Sequence, residues 1–529
     1  MRRPLLINGF MASGKSTVAR LVAERTGRPW LDLDAQIEEQ AGLAISEIFR
    51  TRGEAEFRAL ERERLLSLLA EFREARAPAP VVALGGGALL RRDVRLRALD
   101  ETVVVTLETS AAELLARSSA GARPLLAGSD PLERIEALLE ARRQAYAEAH
   151  ARIPTDGLDA AQVADRVITA WQRDAVAVAT DQRSYAVEIA TSGLSERLVE
   201  LVKDAPLALL VSDSNVFPLH GEPVLAALAR GARRVTSIVL PAGEEHKTLA
   251  APGRIWDHAL AAEADRKTVF VALGGGVVSD ITGFAAAAWM RGVPWIGIPT
   301  TLLSMVDASV GGKTGVDLAT AKNAVGAFWQ PSAVLSDVAL SATEPGRGYV
   351  SALSEVVKTA LIGDPELFEL LEREVAAVNR REPALVEEMV RRCVRVKARV
   401  VGLDQRESGL RATLNLGHTL GHALESQGNY RALTHGEAVA LGLVAALGIG
   451  EQLGLTPGPL RARTLQLLSA LKLPTDLSTQ PLAAASRLIG QDKKRAGARL
   501  KFVVARALGQ VETVELELNQ LQGLAASLV

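Results

Sequence analysis

The stretch Gly9-Phe-Met-Ala-Ser-Gly14-Lys15-Ser16-Thr17 constrains this chain more than any other. It fits G-x-x-x-x-G-K-[ST], follows the apolar run Leu5-Leu6-Ile7-Asn8 and precedes a helical pattern from Thr17 to Arg25. Such a loop needs a buried strand before it and a helix after it. Its glycines let the backbone wrap around phosphates, and the helix N-terminus points its N–H groups at them. Lys15 then reaches the β/γ oxygens, and Ser16 can ligate Mg²⁺. The motif implies a nucleoside triphosphate and leaves the reaction open. It cannot account for the whole chain, because 529 residues are too many for one core. About two to four domains are expected.

The residues that follow extend the same segment. Trp30-Leu31-Asp32-Leu33-Asp34 reads as a strand end whose alternate acids share one side. One carboxylate can support the magnesium shell while the other accepts a proton from a hydroxyl nucleophile. Gly53 to Glu61 reads as a helix presenting Arg58 for bidentate carboxylate capture. A buried strand then ends in Gly85-Gly86-Gly87, where a small ligand could approach the backbone. Arg123-Pro124-Leu125-Leu126 lies in a Gly/Ser-rich loop that reads as a lid over phosphates.

Together these motifs resemble shikimate kinase over essentially the whole first segment. The resemblance implies a nucleoside monophosphate kinase-like P-loop fold and transfer of the ATP γ-phosphoryl group to the shikimate 3-hydroxyl. It implies that Gly9, Gly14, Lys15, Ser16, Thr17, Asp32 and Arg123 serve ATP and Mg²⁺, with Ser16 and Asp32 supporting the ion. Asp34, Arg58, Gly85, Gly86 and Gly87 would hold shikimate, and Asp34 would be the base beside Lys15. A further family arginine falls within Arg142-Arg143-Gln144-Ala145-Tyr146, where Gln replaces the usual proline. The role is carried onto Arg142, with Arg143 as its rival.

Asp159 to Gln172 reads as an amphipathic helix closing the first domain, 1–172, followed by a linker over 173–182. From 183 to about 340, strands ending in Asp213-Ser-Asn215, Pro241 to Lys247, Gly274-Gly275-Gly276 and Pro299-Thr300-Thr301 alternate with helical patterns. That alternation predicts a Rossmann-like, mostly parallel sheet with ligands at the strand ends. From 341 to 529 the pattern is expected to be mainly or wholly helical.

This last region carries the histidines. His418 and His422 are four apart on a helix face, and His435 follows shortly after, among only seven in the chain. Imidazoles plus a carboxylate make a common catalytic zinc set. Ser354-Glu355-Val-Val-Lys358 offers a carboxylate, and Lys313, Lys322, Lys397 and Arg411 add cations. So many cations around a metal call for an anionic substrate, and carboxylate plus phosphate fits best.

The second segment resembles 3-dehydroquinate synthase, through Asp213-Ser-Asn215, Gly243-Glu244-x-x-Lys247, Gly274-Gly-Gly-Val277-Val-Ser-Asp280, Met290-Arg291-Gly292, Val306-Asp307 to Lys313, Lys322-Asn323, Glu355-x-x-Lys358, Arg411-x-x-x-Asn415-x-x-His418 and His435-Gly-Glu437. It implies cyclisation of a seven-carbon keto-acid phosphate with NAD and Zn²⁺ (or Co²⁺). Glu355, His418 and His435 would hold the metal, leaving His422 as a substrate contact. Asp213, Asn215, Glu244, Lys247, Gly275, Gly276, Val277, Asp280, Thr300, Thr301, Asp307 and Lys322 would serve NAD. Arg291, Lys313, Asn323, Lys358, Lys397, Arg411, Asn415, His422 and one lysine of Lys493-Lys494, carried here onto Lys494, would hold substrate. Among these Lys313, Lys358, Arg411 and His422 would act in catalysis. The usual Gly-x-Ala-Glu before the metal carboxylate is Ala352-Leu-Ser354-Glu355 here, and 341–348 fits the family poorly.

A net charge of −1 with 23% charged residues gives no field favouring nucleic acid or membrane. A single cysteine, Cys393, excludes an internal disulfide and fits a reducing cytoplasm. The N-terminus lacks the apolar run of a signal peptide. The expectation is a cytoplasmic bifunctional enzyme acting on small molecules, with a homodimer possible through the second segment. The rivals are another small-molecule kinase fused to a different sugar-phosphate cyclase or an alcohol dehydrogenase-like enzyme, or one half reduced to a binding module.

Overall fold

A computed structural model describes residues 3–74, 78–118, 130–181, 183–319, 321–407, 409–428, 432–489 and 499–528. The chain divides into two compact units, Met1–Glu188 and Ile189–Val529. The division falls inside the strand Tyr185–Ala190, which pairs antiparallel with Val176–Val178. The stretch expected as a linker therefore contains a strand.

The first unit is a parallel sheet in the order Trp30–Asp32, Val81–Ala83, Leu5–Gly9, Val103–Glu108, Ala151–Pro154. Helices cover both faces, and residue alternation feeds two cores. Leu6, Val82 and Val104 pack on one side; Leu5, Ile7, Val81, Ala83, Val103 and Val105 pack on the other. Strands buried on both faces read as unbroken apolar runs, which these are. The helix Ala160–Arg173 starts at a capping box on Asp159, close to its expected bounds. The Arg58 helix is longer than its sequence pattern suggests, spanning Ile45–Glu74 with a break at Gly53 (φ 83°).

The second unit begins with a parallel sheet in the order Ala333–Asp337, Trp295–Pro299, Val269–Gly274, Ala208–Asp213, Val235–Leu240. Here too alternate residues serve opposite cores: Leu209, Val211, Phe270 and Ala272 against Ala208, Leu210, Val269, Val271 and Leu273. The hairpin Lys313–Leu318 with Ala321–Phe328 interrupts the alternation. After the last strand of the sheet, Ala333–Asp337, the described residues are helical except for one antiparallel hairpin, Arg499–Ala507 with Gln510–Glu517. Pro365–Arg373 and Val375–Asn379 are two successive short helices. Among the described residues no helix is long and apolar enough to cross a membrane.

Candidate active sites

The first site lies at the carboxyl ends of the first unit's strands. Gly9 (φ 145°) and Gly14 (φ 92°) give the loop a backbone that side chains resist, and the helix Lys15–Thr26 opens directly after it. The Lys15 ammonium donates to the Phe10 carbonyl at 2.8 Å, and Ser16 Oγ donates to Asp32 Oδ2 at 2.6 Å. Thr17 sits exposed on the helix's first turn.

Asp34 departs from the sequence reading. The strand stops at Asp32, whose side chain caps a helix, Leu33–Ala41, by accepting from the backbone N–H groups of Asp34 and Ala35. Asp34 therefore sits in the first helical turn and not beside Asp32 on a strand. Aspartate is a strong N-cap residue, and that local bond outweighs the alternation.

The turn still aims Asp34 inward. Its Oδ1 is buried without a hydrogen-bond partner, as is Oε1 of Glu61, a residue left outside the expected site set. Both oxygens lie where a Cβ on Gly85 would stand, Asp34 Oδ1 at 2.6 Å. A Cβ on Gly87 would overlap the Arg58 guanidinium. The glycine turn is thus required by close approach. Arg58 bonds Glu61 at 2.6 Å and Glu54 at 3.2 Å. Arg142, buried, donates to the Gly86 carbonyl at 3.2 Å, which also accepts from Tyr146 Oη at 2.7 Å. Arg143 is exposed and pairs with Glu140, so the geometry favours Arg142. A cavity of about 360 Å³ is lined by Asp34, Arg58, Glu61, Gly85, Gly86, Gly87 and Arg142, with Phe49 and Phe57. Burial raises the pKa of Asp34, aided by Asp32 and opposed by Lys15 and Arg58; Glu61 is raised by burial against Arg58. Arg123 lies outside the described residues.

The second site is built from helices that meet closely. Glu355 lies on Gly346–Gly363, His418 opens His418–Gln427, and His435 opens His435–Gln452. Asn415 precedes the histidine helix in a 3-10 turn, separated from it by left-handed Gly417 (φ 79°). Glycines bring the three helices together. A Cβ on Gly436 would overlap the Ser351 carbonyl, and one on Gly421 would stand 2.9 Å from the Ala438 carbonyl. Thr434 Oγ1 and Gly436 N both donate to Ser351 Oγ, at 2.8 and 3.0 Å, and Arg347 grips Glu437 through two bonds of 2.8 Å.

The result is convergence. Nε2 of His418 and Nε2 of His435 stand 3.5 and 3.4 Å from Glu355 Oε1, which is buried and lacks a hydrogen bond of good geometry. The ligand atoms of His418, His422 and His435 lie within 4.8 Å of one another. His422 is 58% exposed, its Nε2 3.9 Å from Glu425 Oε2, while Glu355 is 1% exposed. A buried carboxylate oxygen facing two imidazole nitrogens is a donor set that fits a divalent cation. Burial, then Lys358, pulls His418 down to about pH 3, leaving it neutral with a lone pair to offer. Burial pulls His435 down too, but the carboxylates on its two ring nitrogens outweigh it and lift it to about 10.

Beside this cluster runs a ladder of charges, buried at Glu355, Lys358 and Lys397 and half-buried at Asp307. Lys358 pairs with Glu355, and Lys397 Nζ donates to Asp307 Oδ1 and to its carbonyl, both at 2.6 Å. Despite burial, Lys397 and Lys358 hold Asp307 low, and Lys358 with the two histidines holds Glu355 well below the usual carboxylate range. A cavity of about 580 Å³ is lined by Asp280, Asp307, Lys313, Asn323, Lys397 and Arg411. Another of about 430 Å³ is lined by Asn415, His418 and His422. Arg411 donates to Gln405 O at 2.5 Å. Sequence reasoning missed Glu407, which pairs with Lys313 and accepts from Asn415 Nδ2 at 2.9 Å. It sits at φ 60°, an unusual conformation for glutamate that left no mark in the sequence.

The expected nucleotide residues gather at the sheet's carboxyl edge. Gly275 caps the helix Gly276–Ala288, which carries Val277 and Asp280 in its opening turns. Thr301 lies 3.4 Å from where a Gly275 Cβ would be, and Thr300 N donates to Gly274 O. Glu344, in the stretch the family pattern fitted poorly, accepts from Leu302 N at 2.9 Å and braces this loop. Lys247 Nζ bonds Asp280 Oδ2 and Asn323 Oδ1, both at 2.6 Å, and Lys322 stands 3.8 Å from Glu244. Burial, against Lys247, pushes Asp280 up to about 6. Asp213 caps the turn after its strand, accepting from the N–H groups of Asn215 and Val216.

One expected contact is not brought in. Arg291 is exposed in the turn Trp289–Arg291, at the far end of the helix that Gly276 opens. Its distance along that helix, about 1.5 Å per residue, takes it away from the strand ends. Lys493 and Lys494 lie outside the described residues.

Three family models match the chain: "Shikimate kinase" over 11–172, "3-dehydroquinate synthase N-terminal" over 237–351 and "3-dehydroquinate synthase C-terminal" over 352–495. The chain joins a shikimate kinase domain to a 3-dehydroquinate synthase domain. Its enzymatic classes are accordingly a kinase and a cyclase. Solved structures agree on the synthase fold. A 2-epi-5-epi-valiolone synthase from Streptomyces hygroscopicus subsp. jinggangensis 5008, with NAD⁺ and Zn²⁺ bound, is 29% identical, with a TM-score of 0.60 over 66% of this chain and 98% of that one. A 2-deoxy-scyllo-inosose synthase complexed with carbaglucose-6-phosphate, NAD⁺ and Co²⁺ is 24% identical, with a TM-score of 0.60 over 67% and 99%. A shikimate kinase from Acinetobacter baumannii in complex with shikimate is 33% identical over 32% of this chain and 92% of that one, with a TM-score of 0.30. The kinase domain thus owns the P-loop site, and the synthase domain owns the Glu355–His418–His435 cluster.

Proposed function

We infer that the kinase domain transfers the ATP γ-phosphoryl group to the shikimate 3-hydroxyl, and that the synthase domain cyclises 3-deoxy-D-arabino-heptulosonate 7-phosphate to 3-dehydroquinate with loss of phosphate. What carries the reading is the pairing, in one chain, of a P-loop beside a carboxylate with one buried, unpartnered oxygen and a Glu–His–His cluster beside a cation-lined cavity. The cations argue against an alcohol dehydrogenase-like enzyme, whose substrates carry no phosphate. The synthase family models argue against another cyclase.

In the kinase, Arg58 and Arg142 hold the shikimate carboxylate, and the Gly85–Gly87 turn leaves room for the ring. Asp34 takes the proton from the attacking hydroxyl; its raised pKa suits a proton acceptor. Lys15 exchanges its Phe10 carbonyl for phosphoryl oxygens and steadies their charge. Ser16 and Asp32 would hold Mg²⁺, which would supply positive charge to the phosphates.

In the synthase, Glu355, His418 and His435 would hold Zn²⁺ or Co²⁺, and His422, more exposed, faces substrate. The ion would lend Lewis acidity at a substrate hydroxyl, and NAD would accept and return a hydride. Lys313, Asn323, Lys358, Lys397, Arg411 and Asn415 anchor the carboxylate and phosphate. Asp213, Asn215, Glu244, Lys247, Asp280, Thr300 and Thr301 would hold NAD, and the helix N-terminus after Gly275 would favour its pyrophosphate. The protein's own work is alignment and charge stabilisation. The setting is cytoplasmic, and a homodimer through the synthase domain is part of this proposal.

Assays offering each substrate separately test the reading. ADP release with shikimate and ATP, and phosphate release with the seven-carbon phosphate, NAD⁺ and Zn²⁺, are both expected. Absence of either activity from a metal- and nucleotide-loaded chain overturns that half.

A further inference from the structure

The His435 ring is held at both nitrogens. Nε2 faces Glu355 Oε1 at 3.4 Å, and Nδ1 faces Glu425 Oε2 at 3.3 Å. Glu425 is 6% exposed and sits on the His418 helix, seven residues after His418. An imidazole has one lone pair to give when neutral, so only one nitrogen can meet a cation while the other keeps its proton. Nε2 points at the Glu355 cluster. Nδ1 must then carry the proton, and a buried N–H needs an acceptor. Glu425 stands where that acceptor must be. His422 Nε2 lies 3.9 Å from the same carboxylate, beyond hydrogen-bond reach.

Resting on the reading that Glu355, His418 and His435 hold a divalent ion, we propose that Glu425 is a positioning residue for that site. Its carboxylate fixes the Nδ1–H tautomer of His435, turns Nε2 toward Glu355 and makes that nitrogen a stronger donor. The helix geometry supports this. Gly421 lets the His418 helix approach Ala438 on the His435 helix, and that close crossing brings Glu425 beneath the first residue of its neighbour. Burying a carboxylate there is costly unless it is paired. The His435 Nδ1–H, 3.3 Å from Glu425 Oε2, supplies that partner.

The test uses the full chain with Zn²⁺ or Co²⁺ as the probe. Apparent affinity is measured by chelator competition, and the d–d spectrum of the cobalt form is recorded. Glu425→Ala should weaken metal binding by about 10–100-fold and alter the cobalt spectrum. Glu425→Gln keeps the volume and removes the charge, and should weaken binding by less. NAD⁺ affinity, measured in parallel, should match the parent in both variants. Wild-type metal affinity and an unchanged spectrum in both variants overturn the proposal. Should Glu425→Ala lose NAD⁺ binding through misfolding, Glu425→Gln decides: weaker metal with intact NAD⁺ binding supports it, and unchanged metal affinity overturns it. His435→Ala is the control. If the parent chain itself takes up no metal, it is the ligand assignment that fails. If the parent loads, His435→Ala does not, and both Glu425 variants load like the parent, only the positioning role fails.

Discussion

The two sites handle the same residue type in opposite ways. In the kinase domain, half-buried Asp34 and buried Glu61 each keep an enclosed oxygen without a hydrogen-bond partner, and both carboxyl groups are pushed up in pKa. In the synthase domain, Glu355 is at least as deeply enclosed and Asp307 is half-buried, yet both are pulled down because Lys358 and Lys397 stand against them. Burial alone favours the neutral acid; a buried ammonium at contact distance reverses that. The difference matches the roles proposed for Asp34 and Glu355. A group that takes a proton benefits from holding it well, whereas a group that holds a cation must stay charged.

The largest test of this contrast is removal of a cluster histidine. His435→Ala should empty the metal site and bring cyclisation to background while shikimate phosphorylation stays at the parent rate, as read by metal content and the two separate assays. Loss of phosphorylation as well would mean that the domains do not work independently. The mirror experiment is Asp34→Asn. It should cost phosphorylation about 10²–10⁴-fold, the range for a lost general base, and leave phosphate release from the seven-carbon substrate intact.

A smaller effect separates the two arginines of the kinase domain. Arg142→Ala should raise the KM for shikimate by about tenfold or more, the loss of a charge-assisted hydrogen bond. Arg143→Ala should leave it near the parent value, since Arg143 is exposed and pairs with Glu140. Equal effects would undo the assignment. The glycine contacts offer a stability test. Gly436→Ala, pressed against the Ser351 carbonyl, should destabilise the synthase domain by about 1–3 kcal/mol in denaturant unfolding and spare the kinase transition.

The smallest test is one of pH. As the proposed base, Asp34 must be ionised to act, and its pKa is raised above the ordinary aspartate value of 3.8. Phosphorylation should therefore fall, as the solution is acidified, at a higher pH than an ordinary aspartate would give. A kcat/KM profile at saturating MgATP reads this directly, and an acid limb at the ordinary value would remove the contrast with Glu355.

Much of this was legible in the chain. The P-loop and the glycine turn are contiguous motifs, and contiguity is what a sequence displays. The strands of both sheets showed because burial on two faces leaves runs such as Val103–Glu108 and Val269–Gly274 nearly all apolar. Spacing also placed His418 and His422 on one helix face. Other features were not visible. Asp34 moved from strand to helix because Asp32 caps the next element, a bond decided by local geometry. Glu407 and Glu425 gained partners only through contacts that no spacing rule encodes. Arg291 matched a motif and, in the single chain, lies exposed beyond the C-terminal end of its helix.

The sequence by itself determined the element types, the phosphate loop and the inventory of groups able to hold phosphate, metal and nucleotide, because these follow from near neighbours and periodicity. Only the tertiary structure decided which of those groups meet. Glu355 and His435 are far apart along the chain, and they converge because Gly421 and Gly436 allow helices to approach where any side chain would hold them apart. Their charge states follow from that approach, since a buried carboxylate is set by whichever cation folding brings against it.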